Sequence, residues 1–91
     1  ERSLEREVLA MFAEQALTVS RRLAAQPPDS AMLAHTLKGS ARAIGAFAVA
    51  DAAEALERAL QDGDGIRAAL SRLDRRVSEA RAVIETLLGR T

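Results

Sequence analysis

Apolar residues recur at every third or fourth position along most of this 91-residue chain, and this spacing constrains the fold more than any other feature. In a helix such positions fall on one face, which can then be buried. The last segment shows the spacing best, with apolar side chains at Ile66, Leu70, Leu73, Val77, Ala80, Ile84 and Leu87. No run of alternating β-branched or aromatic residues competes with it. The spacing therefore predicts a protein built from amphipathic helices.

A pair of prolines separates the first two predicted helices. The first runs from about Leu4 to Ala25, with Ser3 as its N-cap. Its buried face is predicted to contain Leu4, Val8, Phe12, Ala16, Val19 and Leu23. Pro27-Pro28 ends this helix because proline cannot continue a helix and disfavours helical geometry in the residue before it. The second helix then begins at a cap formed by Asp29 or Ser30.

Glycines end the second and third predicted helices. The second reaches about Ile44, where Gly45 breaks the chain. The third runs from about residue 46 or 47 to residue 61 and is followed by the turn Asp62-Gly63-Asp64-Gly65, in which Asp64 is the candidate cap of the last helix. Short loops between four amphipathic helices predict an all-α fold, an antiparallel up-down four-helix bundle formed by the whole chain as one domain.

The composition excludes several classes of function. Thirteen Lys and Arg residues balance thirteen Asp and Glu residues, so a general affinity for nucleic acid or for an anionic membrane is not expected. The chain has no cysteine for a disulfide, a thiolate metal site or a nucleophile. No apolar stretch approaches the roughly 20 residues that span a membrane. We therefore expect a cytoplasmic protein.

The only histidine, His35, precedes the only lysine, Lys38, by three residues. At about 100° per residue, His35, Lys38, Gly39 and Arg42 lie opposite the predicted core face of their helix, which contains Leu33, Leu37, Ser40 and Ile44. Glycine inside a helix costs about 0.5–1 kcal/mol relative to alanine, so Gly39 indicates a need for space beside the imidazole. An ammonium one turn away can stabilise added negative charge. These residues indicate a histidine that accepts a phosphoryl group.

The segment His35-Thr36-Leu37-Lys38-Gly39-Ser40-Ala41, with Ile44-Gly45-Ala46 after it and Leu56-Glu57 further on, resembles the histidine phosphotransfer (HPt) domain of multistep two-component phosphorelays. The resemblance covers essentially the whole chain. It implies a four-helix bundle whose exposed histidine takes a phosphoryl group from a receiver-domain aspartate and passes it to another receiver. Many members begin with a further short helix, and we expect this chain to start after it.

The same resemblance implies how the site works. Glu57 matches a position that often carries Gln or Glu beside the histidine, where it would accept a hydrogen bond from Nδ1–H and leave Nε2 free to attack phosphorus. Mg²⁺ would come from the receiver, so no cofactor of the chain's own is expected. The chain lacks a glycine-rich nucleotide loop, which predicts a phosphocarrier rather than a kinase.

The expected partners are response-regulator receiver domains and a hybrid histidine kinase, and the expected state is a monomer. Leu17 lies off the apolar face of its own helix, and Arg42 adds positive potential beside the histidine. These two residues are candidates for the surface that selects a receiver. A singly exposed leucine and a solvated arginine are the ordinary alternatives for them.

Two other functions stay open at this point. One is the dimerisation and phosphoacceptor region of a sensor kinase, which also displays a histidine on a helix. In such regions an acidic residue and later a proline commonly follow the histidine, whereas here Thr36 follows and no proline comes after Pro28. The other is a docking adaptor, a helical bundle that binds partners and in which His35 has no chemical role.

Overall fold

The computed structural model describes residues 2–89, which form four helices and no strand. The helices are α1 (Arg2–Ala24), α2 (Ser30–Ile44), α3 (Phe47–Asp62) and α4 (Ile66–Leu88). Each helix packs against two others, so that the order around the bundle is α1, α2, α3, α4 and back to α1. Because short loops connect successive helices, neighbouring helices run in opposite directions. The predicted antiparallel up-down four-helix bundle is confirmed.

Gly45 forms the corner between α2 and α3. Its φ of 83° lies in the left-handed region, where a side chain would be strained. Its N–H donates to the carbonyl of Arg42, and the N–H of Ala46 donates to the carbonyl of Ala41 at 2.8 Å. These two bonds satisfy carbonyl groups at the end of α2 that would otherwise lack partners. The predicted break at Gly45 is confirmed, and it sets how α3 returns along α2.

Two of the predicted helix caps are wrong. Ser3 lies inside α1, which already includes Arg2, whereas an N-cap residue needs a non-helical backbone. Asp64 is not the residue that precedes α4. That position belongs to Gly65, which has a φ of 71° and provides no side-chain cap. The second glycine of the turn thus extends the connection by one residue beyond the aspartate.

Asp29 does occupy the N-cap position of α2, but its side chain makes no capping hydrogen bond. It pairs instead with Arg22 of α1 at 3.4 Å. The hydroxyl of Ser30 donates to the carbonyl of Pro27 at 2.6 Å. The loop between α1 and α2 is therefore held by these two contacts.

The core is made mainly of leucine, valine and alanine side chains from all four helices, together with Phe12 and Ile84. Its largest fully buried members are Leu23, Leu37, Val49, Leu56, Leu73 and Val77. Five alanines are fully buried as well: Ala16, Ala34, Ala41, Ala52 and Ala53. On α2 the predicted core residues Leu33 and Leu37 are buried, whereas Ser40 and Ile44 are only half-buried. The predicted core face of α2 is thus confirmed at the centre of the helix, whereas toward its end the predicted residues are only partly buried.

The first turns of α1 do not contribute to the core as predicted. Leu4 is 57% exposed, and Val8 is exposed as well. Helix α1 has 23 residues and α2 has 15, so α1 is longer by about 12 Å at 1.5 Å per residue. Since a short loop joins the end of α1 to the start of α2, the additional residues of α1 lie at its beginning. There, α2 no longer covers the apolar face.

At the other end of the chain, the predicted core residue Leu87 is 62% exposed, and Leu88 is buried in its place. A strict seven-residue repeat drifts by about 20° per heptad on a straight helix. Over the length of α4 this drift carries Leu87 away from the core and brings Leu88 toward it. Arg6 of α1 closes this end of the helix by donating to the carbonyl of Leu88 at 2.8 Å.

Replacement of Leu37 by alanine tests the packing of α2. Because Leu37 is fully buried, Leu37→Ala is expected to lower the free energy of unfolding by about 2–5 kcal/mol. Met32→Ala on the same helix is the matched control, since Met32 is largely exposed and should cost less than about 0.5 kcal/mol. Chemical denaturation followed by circular dichroism measures both. Equal losses in the two variants would show that Leu37 is not a core residue.

Candidate functional site

His35 lies in the middle of α2 with its imidazole directed toward solvent. Its side chain is 70% exposed, although Leu33 and Leu37 on the same helix are buried. The alternation follows from helix geometry, because residues two apart lie about 200° apart around the axis. The predicted exposure of the histidine is thus found in the structure. A partner can reach the ring without any movement of the bundle.

Glu57 of α3 contacts the histidine ring. Its Oε2 lies 3.0 Å from Nδ1 of His35. An ionised carboxylate can only accept, so in this hydrogen bond Nδ1 carries the proton and donates it. The neutral ring in this tautomer has its lone pair on Nε2, the nitrogen on the opposite edge. The contact anticipated between Glu57 and Nδ1 is therefore present, and in this tautomer Nε2 has no other role within the hydrogen bond.

Lys38 is not the solvent-facing cation that the helical arrangement predicted. Its side chain is only 15% exposed, and Nζ forms an ion pair with Oε1 of Glu57 at 2.7 Å. Its long aliphatic stem can lie along the groove between α2 and α3 while the ammonium reaches the carboxylate. One carboxylate thus contacts both basic side chains, His35 through Oε2 and Lys38 through Oε1.

The environment of Glu57 favours its charged form. Partial burial of the carboxyl raises its pKa, but the hydrogen bonds and positive charge provided by Lys38 and His35 act in the opposite direction and prevail. The pKa of Glu57 consequently lies below its ordinary value. At neutral pH the group is a carboxylate able to hold both partners.

Gly39 follows Lys38 on the exposed surface of α2. A Cβ placed on this residue would meet no other atom within 4 Å, so the fold itself does not require glycine here. The φ of Gly39 is also not positive, unlike that of the glycines in the loops. Neither packing nor backbone conformation explains why a residue that weakens the helix is used. Gly39 is four residues from His35, so the two positions are neighbours on the surface of α2.

Arg42 and Leu17 are not part of the cluster formed by His35, Lys38 and Glu57. Arg42 forms an ion pair with Glu54 of α3 at 3.5 Å, and both side chains are partly exposed. Leu17 is half-buried on α1. The structure thus brings together three of the six predicted site residues, and Gly39 lies beside them.

Glu54 was not predicted from the sequence, although a signal for it exists. Lys38 and Arg42 are four residues apart on α2, and Glu57 and Glu54 are three residues apart on α3. Because α2 and α3 run in opposite directions, these spacings place Lys38 opposite Glu57 and Arg42 opposite Glu54. Knowing that α2 and α3 are neighbours was enough to predict both ion pairs.

Residues 2–89 contain neither a metal site nor a membrane span. Within them, no group of three or more His, Cys, Asp or Glu side chains is arranged to hold a metal ion. None of the helices in this part of the chain combines the length and apolar character needed to cross a membrane.

Comparison with known families identifies the chain. Residues 7–89 match the family model of the Hpt domain. Comparison with curated proteins gave no match, and comparison with solved structures gave none either. Because the family model covers nearly all of the chain, the protein belongs to the Hpt domain family. Membership assigns it a role in histidine phosphotransfer within two-component phosphorelays and implies interaction with response-regulator receiver domains.

Acid titration tests the electrostatics of Glu57. A carboxyl whose pKa is lowered by folding stabilises the native state above its unfolded-state pKa, and this stabilisation disappears as the pH falls through the lower native-state pKa. The difference in free energy of unfolding between the wild type and Glu57→Gln is therefore expected to be largest near neutral pH and to shrink in acid. Urea denaturation at a series of pH values measures it.

The matched control for this titration is Glu14→Gln, which removes an exposed carboxylate of α1 that forms no ion pair among residues 2–89. Its effect on unfolding should vary much less with pH. A Glu57→Gln difference that is independent of pH would contradict the charged, paired state of Glu57.

Proposed function

We propose that this protein is a phosphocarrier that accepts a phosphoryl group on His35 from the aspartyl phosphate of one receiver domain and transfers it to the aspartate of another. The observation that carries the proposal is the exposed imidazole whose Nδ1 is hydrogen-bonded to Glu57 at 3.0 Å. This contact leaves Nε2 unprotonated and accessible, as a nucleophile requires. Membership in the Hpt family supports the same reaction.

The transfer step uses the lone pair of Nε2. As Nε2 attacks phosphorus in line, the N–P bond forms, the bond from phosphorus to the aspartyl oxygen breaks, and that oxygen leaves as the receiver's carboxylate. The proton on Nδ1 stays in place, so the ring gains positive charge. The Glu57 carboxylate is already positioned against that charge, and its hydrogen bond becomes stronger in the transition state. The same geometry in reverse discharges the phosphohistidine to a second receiver.

Lys38 and Gly39 support the phosphorylated state in different ways. The ammonium of Lys38 has three N–H donors. Its pairing with Glu57 leaves donors that can bind phosphoryl oxygens one turn from the ring. Gly39 leaves the surface beside the ring open to the phosphoryl group and to the partner.

The rest of the machinery belongs to the partner. Mg²⁺ is supplied by the receiver, and this chain has no kinase activity of its own. The donor is a receiver domain, either free or part of a hybrid histidine kinase, and the exchange takes place in the cytoplasm. Arg42 and Leu17 belong to the surface that meets the receiver.

The active form is a monomer. The three contacting side chains all come from one chain, and four helices of that chain already surround the core. A sensor-kinase phosphoacceptor region, by contrast, is usually a helical hairpin that completes its bundle by dimerising. Size-exclusion chromatography with light scattering distinguishes the two.

Replacement of His35 by alanine tests the proposal directly. The chain is mixed with a panel of phosphorylated receiver domains and Mg²⁺, and phosphate is located by intact-mass measurement and peptide mapping. The wild type is expected to carry an acid-labile, base-stable phosphate on His35, and His35→Ala none, with helicity retained. Thr36→Ala, which changes the next exposed residue, is the control and should still be phosphorylated. A folded wild type that receives no phosphate from any receiver would instead support a docking adaptor.

Substitution of Gly39 separates the needs of the fold from those of the transfer. Gly39→Ala is expected to stabilise the protein by about 0.5–1 kcal/mol, since Gly39 is inside a helix and a Cβ meets nothing. Gly39→Leu should leave the fold intact but slow transfer from a receiver, because its side chain occupies the space beside His35. Transfer rates and thermal denaturation measure the two effects.

The control for Gly39→Leu is Ala68→Leu, which adds a leucine at an exposed position of α4, a helix that does not pack against α2. This variant should transfer phosphate at the wild-type rate. A Gly39→Leu protein that transfers equally fast would show that the glycine does not serve to keep the space beside His35 open.

A further inference from the structure

The interface between α1 and α4 is bridged toward one end and open toward the other. Near the start of α1, Arg6 donates to the carbonyl of Leu88 at 2.8 Å, and further along Arg81 donates to the carbonyl of Ala13 at 3.2 Å. From Ser20 to the end of α1, no side-chain hydrogen bond joins the two helices within the described part of the chain. A cleft of about 350 Å³ lies there instead, which is the size of a small-molecule site.

The α1 wall of this cleft contains a nearly buried hydroxyl. Ser20 is only 8% exposed, and its side chain forms no hydrogen bond with any of residues 2–89. A serine or threonine inside a helix can donate to the carbonyl four residues earlier, as Thr86 does to Ala82 at 3.0 Å. Polar groups that are buried without a partner are rare in proteins. Ser20 is therefore placed to bind a polar group that enters the cleft.

The α4 wall carries opposite charges at its two ends. Arg67 and Asp74 both line the cleft, seven residues apart and thus about 10 Å apart along the helix axis. Neither forms an ion pair with another of residues 2–89. Arg67 is in the first turn of α4, where the positive end of the helix dipole adds to its charge. The cleft therefore attracts an anionic group at one end and a cationic group at the other.

Gln26, which follows α1, adds an amide to the same cleft. Its φ of 50° lies in the left-handed region, which a residue other than glycine seldom adopts. The backbone is held there by a hydrogen bond from its N–H to the carbonyl of Leu23 at 2.9 Å. Glycine would adopt this conformation without strain but would leave the cleft without a side chain that both donates and accepts.

We propose that this cleft binds a small zwitterion, a molecule of the ω-amino acid or short-peptide type whose carboxylate and ammonium are separated by several bonds. The carboxylate pairs with Arg67, the ammonium pairs with Asp74, and the Ser20 hydroxyl bonds to a polar group between them. The apolar part of the ligand lies along Leu70 and Leu73, which also line the cleft. A ligand with both charges on one carbon cannot reach both ends.

The cleft is separate from the phosphotransfer site. His35 and Glu57 belong to α2 and α3, whereas α1, α4 and Gln26 form the cleft, and α4 does not pack against α2. A zwitterion can therefore be bound while a receiver contacts His35. The inference goes beyond the proposed function and does not rest on it.

Titration with a graded set of probes tests the site. Glycine, γ-aminobutyrate and ε-aminocaproate are added to the isotope-labelled chain, and amide NMR shifts are followed. With ε-aminocaproate the amides of Ser20 and Ser71 should shift saturably with a Kd of about 1 mM, as expected for a ligand of this size. Glycine should bind about fivefold more weakly or less, because it can pair with only one of the two charges. Amide signals around His35 should not move.

Hexanoate and hexylamine are the matched control probes, since each keeps the apolar chain and carries one of the two charges. Each should bind about fivefold more weakly than ε-aminocaproate, with ionic strength held constant by added NaCl. These two probes distinguish a zwitterion site from a site for any anion, any amine or any apolar chain.

Variants of the charged ends and of the hydroxyl locate the binding. Arg67→Gln and Asp74→Asn should each weaken ε-aminocaproate binding about fivefold, and Ser20→Ala about two- to tenfold. Arg72→Gln and Asp51→Asn remove exposed charges outside the cleft and should leave the Kd unchanged. Circular dichroism checks the fold of each variant. Because Arg67 and Asp74 are exposed, their variants carry the test even if Ser20→Ala fails to fold.

Three outcomes would overturn the proposal. One is the lack of a saturable shift with every probe, and another is hexanoate or hexylamine binding as tightly as ε-aminocaproate. The third is binding that neither Arg67→Gln nor Asp74→Asn weakens, which would place the probe elsewhere on the bundle. None of these outcomes depends on whether a receiver phosphorylates His35.

Discussion

The rest of the site depends on the two contacts that the carboxylate of Glu57 makes, one with His35 and one with Lys38. It joins α2 to α3, and through its two oxygens it holds a histidine that is exposed and a lysine that is largely buried. A neutral amide at this position can still accept a hydrogen bond from the ring, but it cannot form an ion pair with the ammonium. The lowered pKa of Glu57 reflects both partners at once. One side chain thus contacts both the ring of His35 and the ammonium of Lys38.

The bundle supplies this contact through the way α2 and α3 meet. Gly45 ends α2 in a left-handed conformation and allows α3 to begin two residues later, so the two helices run closely antiparallel. Fully buried alanines, among them Ala34 and Ala53, line the core from these helices. Side chains without bulk let helix backbones approach one another, which brings the carboxylate of one helix within hydrogen-bonding reach of the other. The core therefore determines the geometry of a site that lies at its surface.

The sequence predicted the fold and the exposure of His35 well, because both depend on local patterns. Three- and four-residue spacing defined the helices, and the position of His35 relative to Leu33 and Leu37 defined its exposure. The sequence predicted less well what depends on the lengths and phases of packed neighbours. Leu4 was assigned to the core because its spacing is correct, but α2 is too short to cover it. Lys38 was assigned to solvent because the helical projection ignores the length of a lysine side chain, which here places Nζ 2.7 Å from Oε1 of Glu57.

The placement of the site on consecutive helices has a consequence for how the molecule responds to partial unfolding. His35 and Glu57 are 22 residues apart and belong to a hairpin with a two-residue corner, so the loop that their contact closes is short and entropically inexpensive. The first turns of α1, where Leu4 and Val8 are exposed, bury little apolar surface, and such turns open at the lowest cost in free energy. Fraying there and loss of the histidine's surroundings are therefore separate events. In a hydrogen-exchange experiment, amide protons in the first turns of α1 would exchange well before those around His35 and Glu57.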